Sequence, residues 1–346
     1  MAKAKHIFTG LFAPALFAAC PAAAQSQSGS DTAAQGNSAQ SPDQSDEGVE
    51  GFDLSPPDRV PDSIFDDARS EEVLTVQVLL DRSRHSPGVI DGIMGGNTRR
   101  AIRYYREANG LRSSEEIDAE LMRSLISSQS GDVFRSYTIT QEDVAGPFYA
   151  KASGMEEMAE MERVGWYSPL EMFADRFHMD QDFLAALNPD ADFSAAGTDI
   201  IIVSHGDEEL SSSIARIEIR KAENSVVALG DDGKVLASYP ATIGSDQFPS
   251  PAGSMEVDAI APEANYTFNP QAQEWGPDET LVIPPGPNNP VGGIWIDLSK
   301  EGYGIHGSPD PQLIGKTASH GCVRLTNWDA HELANALDAG TPVIFQ

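Results

Sequence analysis

Residues 306–330 read HGSPDPQLIGKTASHGCVRLTNWDA, which puts Cys322 between His320 and Arg324, with a second histidine, His306, upstream. Acyl-transfer chemistry needs a nucleophile, a base to take its proton and donors for the charge that develops on the attacked carbonyl, and this stretch offers candidates for all three. A free thiol is only a few per cent ionised at neutral pH, and an adjacent imidazolium lowers its pKa by several units. His306 and His320 are both placed to do so. Gly321 allows a turn at which consecutive N–H groups point to one spot, as an oxyanion hole requires. Spacing alone leaves the base open. A zinc site made of His306, His320 and Cys322 is a rival reading, but neither a paired-cysteine nor an HExxH motif accompanies them, so no metal and no cofactor are expected.

Working outward, the chain of 346 residues has two cysteines, Cys20 and Cys322. The start, MAKAKHIFTGLFAPALFAACPAAAQ, carries Lys3 and Lys5, an apolar run from Ile7 to Ala19, and then Ala22-Ala23-Ala24. This is the pattern of an export signal over residues 1–24, too short to span a bilayer permanently, and no later segment is apolar for long enough to span one. Ala18-Ala19-Cys20 also partly resembles the site at which bacterial lipoproteins are cut and acylated, so removal of Cys20 and its acylation are both open. Either way Cys322 is left without an intramolecular partner. A lone thiol in an exported protein calls for a reason: an intermolecular bridge, burial or catalysis.

The formal charge of -30, with no basic cluster, disfavours nucleic acid and anionic lipid surfaces as partners. From 25 to 69 the chain is Gln, Ser, Gly, Asp and Pro with few apolar residues, which predicts a disordered linker. Residues 70–128 then show helical spacing. Val73, Val76 and Leu80 share one stripe, Ala101, Tyr105 and Ala108 a second behind Asn97 as cap, and Ile117, Leu121 and Leu125 a third behind a Ser113/Glu116 capping box. Residues 137–204 predict two short helices around Phe173 and Leu184 and a strand over 200–203. His178 reads as packed at a helix end, with no acid or nucleophile beside it. From 214 to 346 alternating segments such as ARIEIRK, NSVVALG, KVLASYPATIG, GSMEVDAIA and GGIWIDL predict a mainly-β domain with one late helix and a closing strand, TPVIFQ. The Pro- and Gly-rich PPGPNNPVGG predicts a loop walling a groove. The fold class is α+β multidomain.

The ordered set His306-Gly307, Ser319-His320-Gly321-Cys322, Val323 and Arg324 resembles the signature of the L,D-transpeptidase catalytic domain, and the similarity extends over residues 214–346. VQVLLDRSRHSPGVIDGIMGGNTRRAI resembles a peptidoglycan-binding domain, and residues 137–204 resemble a degenerate LysM-type module. The resemblance implies Cys322 as nucleophile and His306 as base, its tautomer set by a backbone carbonyl near Gly307. It also implies that Ser319 and His320 shape the pocket, that the N–H groups of Gly321 and Cys322 hold the oxyanion, and that Arg324 meets a substrate carboxylate or positions the loop. The substrate it implies is the peptidoglycan stem tetrapeptide. The acyl acceptor is a second stem, an envelope-protein lysine or water, and carbapenems would acylate the thiolate. Tethered N-terminal modules would act mainly through effective concentration, so that removing residues 71–203 costs more on intact sacculi than on small muropeptides.

Overall fold

The computed structural model describes residues 60–206, 210, 213–244, 250–272, 276–319 and 321–346. The export signal with Cys20, the linker up to residue 59, and His320 lie outside them. Residues 60–69 differ from the linker expectation. Val60 and Ile64 are buried in a cluster with Leu74, Phe173 and Ile200, because these apolar side chains at the end of the polar run reach a cluster the sequence pattern did not display.

Ser70 accepts the N–H of Val73 and starts α1 (Glu71–Arg82); α2 (Gly96–Ala108) and α3 (Ala119–Ser127) follow. Val76, Leu79, Leu80, Ala101, Ile102, Tyr105, Leu121 and Leu125 meet in one cluster. Two caps differ from expectation. Gly95 caps α2, while Asn97 sits inside its first turn and donates to Ile314 O at 2.9 Å. Asp118, not Ser113 with Glu116, caps α3, and it also receives the fully buried Arg106 guanidinium at 2.7 Å. Asn97 is engaged by a tertiary partner, and α3 begins at Ala119, beyond the Ser113/Glu116 pair.

Next come β1 (Phe134–Thr138), α4 (Gln141–Ala145), α5 (Met155–Glu160), α6 (Pro169–Arg176), α7 (Gln181–Leu187) and β2 (Asp199–Val203). β1 and β2 pair antiparallel, Phe134 opposite Val203, so this unit begins before residue 137. Its helices bury Phe173, Phe183, Leu184 and Leu187 against the strands.

The remainder is built on an eight-stranded sheet made of β3 (Arg216–Arg220), β4 (Ser225–Leu229), β5 (Val235–Pro240), β6 (Gly253–Pro262), β9 (Ile294–Leu298), β10 (Gly304–His306), β11 (Val323–Arg324) and β12 (Pro342–Phe345). A separate hairpin, β7 (Tyr266–Phe268) with β8 (Leu281–Ile283), precedes β9. The order is β11-β10-β9-β6-β12-β3-β4-β5, with β10/β11 and β12/β3 parallel and the other pairs antiparallel. Just after β5, Thr242 exchanges backbone hydrogen bonds with Arg324 at 2.9 Å each way, and Ser319 N–H donates to Ile243 O at 2.8 Å. These bonds join the two outer strands, so the segment carrying Cys322 is held by backbone pairing on both sides instead of lying on an open edge. One face of the sheet buries Ile217, Val226, Ile296, Ile305, Val323 and Val343 under α8 (Asn327–Asn335), which Thr326 caps.

The N-terminal segments are packed onto this sheet, which corrects the tethered-module reading. Tyr104 of α2 is buried with Val227, Leu229 and Val235. Ser86 and Ser238 are joined through the backbone at 2.9 Å, and Ser238 N–H returns to Arg84 O at 2.9 Å. Arg103 pairs with Glu223 at 2.7 Å, and Asn288 reaches Gly165 O at 3.0 Å and Glu171 at 2.9 Å. A linker supplies reach only where no such surface is shared. Removing residues 71–203 is therefore expected to uncover the apolar β4–β5 face and to cost activity on soluble muropeptides as well as on sacculi, checked by assaying the truncated chain on both. Among the described residues no helix is long and apolar enough to cross a membrane.

Candidate active site

Strand pairing places the two candidate reactants. β10 and β11 run parallel with Ile305 opposite Val323 and His306 opposite Arg324. Ile305 and Val323 face the core under α8, so the alternation of the strand turns His306 and Arg324 to the other face. Cys322 joins a cluster there with Trp295, Tyr266, Phe268, Ile283, Val291 and Val164. Trp295 lies opposite His306 on β9 and stacks on its ring, centroids 5.5 Å apart and 19° between planes. The Cys322 sulfur lies 3.7 Å from Gly302 O.

The His306 ring is oriented by its own neighbour: Nδ1 stands 2.7 Å from Gly307 O, the geometry in which an Nδ1–H donates to that carbonyl. The other nitrogen, Nε2, is buried and has no hydrogen-bond partner among the described residues. Burial first, then the Arg324 guanidinium, push the imidazole down to about 3, against the smaller upward pull of the Gly307 carbonyl. The ring is thus neutral at pH 7, with Nε2 as its acceptor.

Gly307 is required by space. A Cβ there would collide with Asn327 Oδ1, which accepts the Ser308 N–H at 3.0 Å, and would meet Gly292 Cα at 3.2 Å. The start of α8 and the 284–293 loop therefore clamp the carbonyl that orients His306. That loop is organised by Asn289, fully buried, whose side chain donates to Pro284 O at 2.6 Å and accepts from Val291 N at 2.9 Å. It is also tied to the α5 segment: Val164 N–H donates to Pro285 O at 3.0 Å, and Asn288 N–H donates to Val164 O at 3.1 Å. Met155, Met158 and Met161 lie against the cluster that contains Cys322. Gly286→Ala puts a methyl group into the Val164 carbonyl at a φ of +146°, which side chains rarely adopt. It is expected to cost about 3 kcal/mol or more, read as a fall in urea midpoint.

The loop before Cys322 is closed on itself. Ser319 Oγ donates to Cys322 O at 2.6 Å and accepts the Gly321 N–H at 3.1 Å, while Ser250 Oγ donates to Gly321 O at 2.7 Å. Gly321 has a φ of +128°, open to glycine. Its N–H is thus engaged by Ser319, which differs from the expectation that it points at an oxyanion. Ser319 takes the role of fastening the turn. His320 is outside the described residues.

None of the described cysteines is free, and Cys322 is disulfide-bonded. The sequence expectation of a lone thiol concerns the chain after removal or acylation of Cys20, which lies outside the described residues. The chemistry discussed below belongs to the reduced thiol.

Residues 214–345 match the family model described as the L,D-transpeptidase catalytic domain. This part of the chain belongs to the L,D-transpeptidase catalytic-domain family. The "Putative L,D-transpeptidase YkuD" of Bacillus licheniformis is 49% identical over 59 residues, covering 17% of this chain and 36% of that protein. Its Bacillus subtilis namesake is 32% identical over 117 residues, covering 34% and 57%. The "Probable L,D-transpeptidase YbiS" of Escherichia coli K12 is 28% identical over 183 residues, covering 51% and 60%. The YbiS match covers more of the chain than residues 214–345 hold, so it continues beyond the L,D-transpeptidase domain. The chain spans between about a third and three fifths of each of these relatives' own length.

Sequence spacing missed one constellation. His178, in a left-handed turn at a φ of +58° after α6, has Nδ1 3.2 Å from both oxygens of Asp81, which comes from α1. An acid does lie beside it, brought from 97 residues away by packing. The ring also stacks on Trp328 of α8, 5.1 Å between centroids. Nearby, Asp329 accepts the Ser86 hydroxyl at 3.0 Å. Burial raises the Asp329 carboxyl to about 8, Thr326 and Ser86 pulling it down less. With the folded value above the unfolded one near 3.8, the folded state keeps a proton the unfolded state loses, so this contribution falls as pH rises from 4 to 8. Asp329→Asn is expected to gain stability relative to the parent across that window, checked by urea unfolding at pH 4, 6 and 8.

Proposed function

We propose that the protein is a cysteine L,D-transpeptidase of the bacterial envelope, acting on peptidoglycan stem tetrapeptides through a Cys322 thioester. The observation that carries this is the buried Nε2 of a neutral His306, on the strand beside the one Cys322 leads into, with its Nδ1 committed to the Gly307 carbonyl. Nε2 takes the thiol proton as sulfur attacks the carbonyl of the third stem residue. The tetrahedral intermediate collapses, the C–N bond to terminal D-alanine breaks, and the imidazolium returns the proton to the departing amine. An acceptor amine then attacks the thioester, giving up its proton to His306, and the thiol is restored.

The oxyanion is held by the backbone N–H of Cys322, with Gly321 joining if its bond to Ser319 exchanges. Arg324, beside His306, adds to the burial that keeps the base neutral and contributes positive charge toward a stem carboxylate. The acceptor is a second stem, giving a 3-3 crosslink, or a protein lysine, giving a wall-attached envelope protein. Water at the same site makes a carboxypeptidase or a crosslink-cleaving hydrolase. The N-terminal segments bind the wall, and the chain is exported, with Cys20 either removed or lipid-bearing.

Incubating the reduced, mature chain with tetrapeptide muropeptides and identifying the new linkages by mass spectrometry tests this. Release of D-alanine with 3-3 dimers is expected, and the absence of any D-alanine release counts against it. Because His306 stays neutral far into acid, single-turnover acylation is expected to have no inflection near pH 6.5, and one there would mean an ordinary, solvated imidazole.

A further inference from the structure

We propose that Asp81, His178 and His205 form a binding site for one zinc-class divalent cation, which clasps the N-terminal segments to each other and against the catalytic domain. The three residues come from the end of α1, the turn after α6 and the stretch just after β2, and their ligand atoms all lie within 4.8 Å of one another. Two imidazoles and one carboxylate suit Zn²⁺, Co²⁺ or Ni²⁺ and leave a fourth position for water, whereas Mg²⁺ and Ca²⁺ prefer all-oxygen sets.

The surroundings orient the donors in the way metal sites do. His205 Nδ1 stands 2.9 Å from Gly206 O, which commits that nitrogen and makes Nε2 the donor to a cation, and the Gly206 N–H donates to Asp81 Oδ2 at 3.1 Å. The two histidine rings lie 4.5 Å apart, and Trp328 fixes the outer face of His178. His178 also holds a left-handed backbone, a conformation that a histidine adopts at a cost and that aims its ring at Asp81. Without metal, the His178 proton bridges to Asp81. The cation replaces that proton, which is released to solvent. Arg135 Nη2, 3.4 Å from His205 Nε2, must withdraw, and its other contact, over the Phe177 ring, leaves it a place to stay. Since Trp328 belongs to α8, ordering this site acts on the same helix whose Asn327 clamps Gly307.

The test is titration of the full reduced chain with Zn²⁺ by calorimetry and with Co²⁺ by visible absorption. One equivalent binding with Kd below about 10 µM is expected, raising Tm by about 5 °C at a hundredfold excess over Kd. The Co²⁺ spectrum should lack sulfur-to-metal charge transfer, and binding should persist in Cys322→Ser. His205→Ala and, as a second variant, His178→Gln should each weaken it at least tenfold. Binding that is absent, that His205→Ala leaves unchanged, or that shows a sulfur charge-transfer band overturns the proposal. Weak uptake of several equivalents by surface carboxylates counts against it equally.

Discussion

Cys322→Ser is expected to abolish the covalent adduct that the reduced parent forms with a carbapenem or a tetrapeptide muropeptide, with the folded state retained. The exchange removes one polarisable atom from a buried position and replaces a thiol that a neutral imidazole can deprotonate with a hydroxyl that it can deprotonate only poorly. The loss should be on the order of 10³-fold or more in single-turnover acylation. Intact-mass spectrometry reads the result directly: the parent gains the mass of the acyl group and the variant does not. An adduct that persists in Cys322→Ser would move the nucleophile elsewhere and dissolve the role assigned to the 306–330 stretch. Because Cys322 is disulfide-bonded, the parent is expected to need reductant before it reacts.

His306→Ala should lower the acylation rate by about 10²–10⁴-fold, the range a positioned base contributes. The ring stacks on Trp295 and fills a buried place, so the variant also loses packing, and His306→Gln serves as the companion that keeps a donor toward Gly307 O. Both variants should be slow while near-ultraviolet circular dichroism stays close to the parent's. Normal turnover in either would assign the proton to another group. A rate loss in His306→Ala that His306→Gln fully rescues would mean that the ring only holds the turn.

Much of the catalytic domain was readable in the chain because alternation is local. The strands ARIEIRK, NSVVALG, GSMEVDAIA, GGIWIDL and TPVIFQ appear as β3, β4, β6, β9 and β12 in the expected stretches. The β7–β8 hairpin and two-residue β11 were not legible, since three or two residues carry too little periodicity to stand out from loop sequence. The same limit hid the reason for Gly307. Its φ is unremarkable, and only the arrival of Asn327 and Gly292 from distant segments leaves no room for a side chain.

The sequence by itself determined the ordered run of His306, Gly307, Ser319, Gly321, Cys322 and Arg324 on which the proposed chemistry rests, and the alternation that makes a sheet to carry it. Those properties depend on residue type and near spacing, which a chain displays before it folds. Tertiary structure alone decided that His306 is neutral, that Gly321 N–H is engaged by Ser319, that Tyr104 seals the far end of the sheet, and that Asp81 meets His178 and His205. Each of these is set by burial or by a partner many residues away, and neither quantity exists until the segments are packed together.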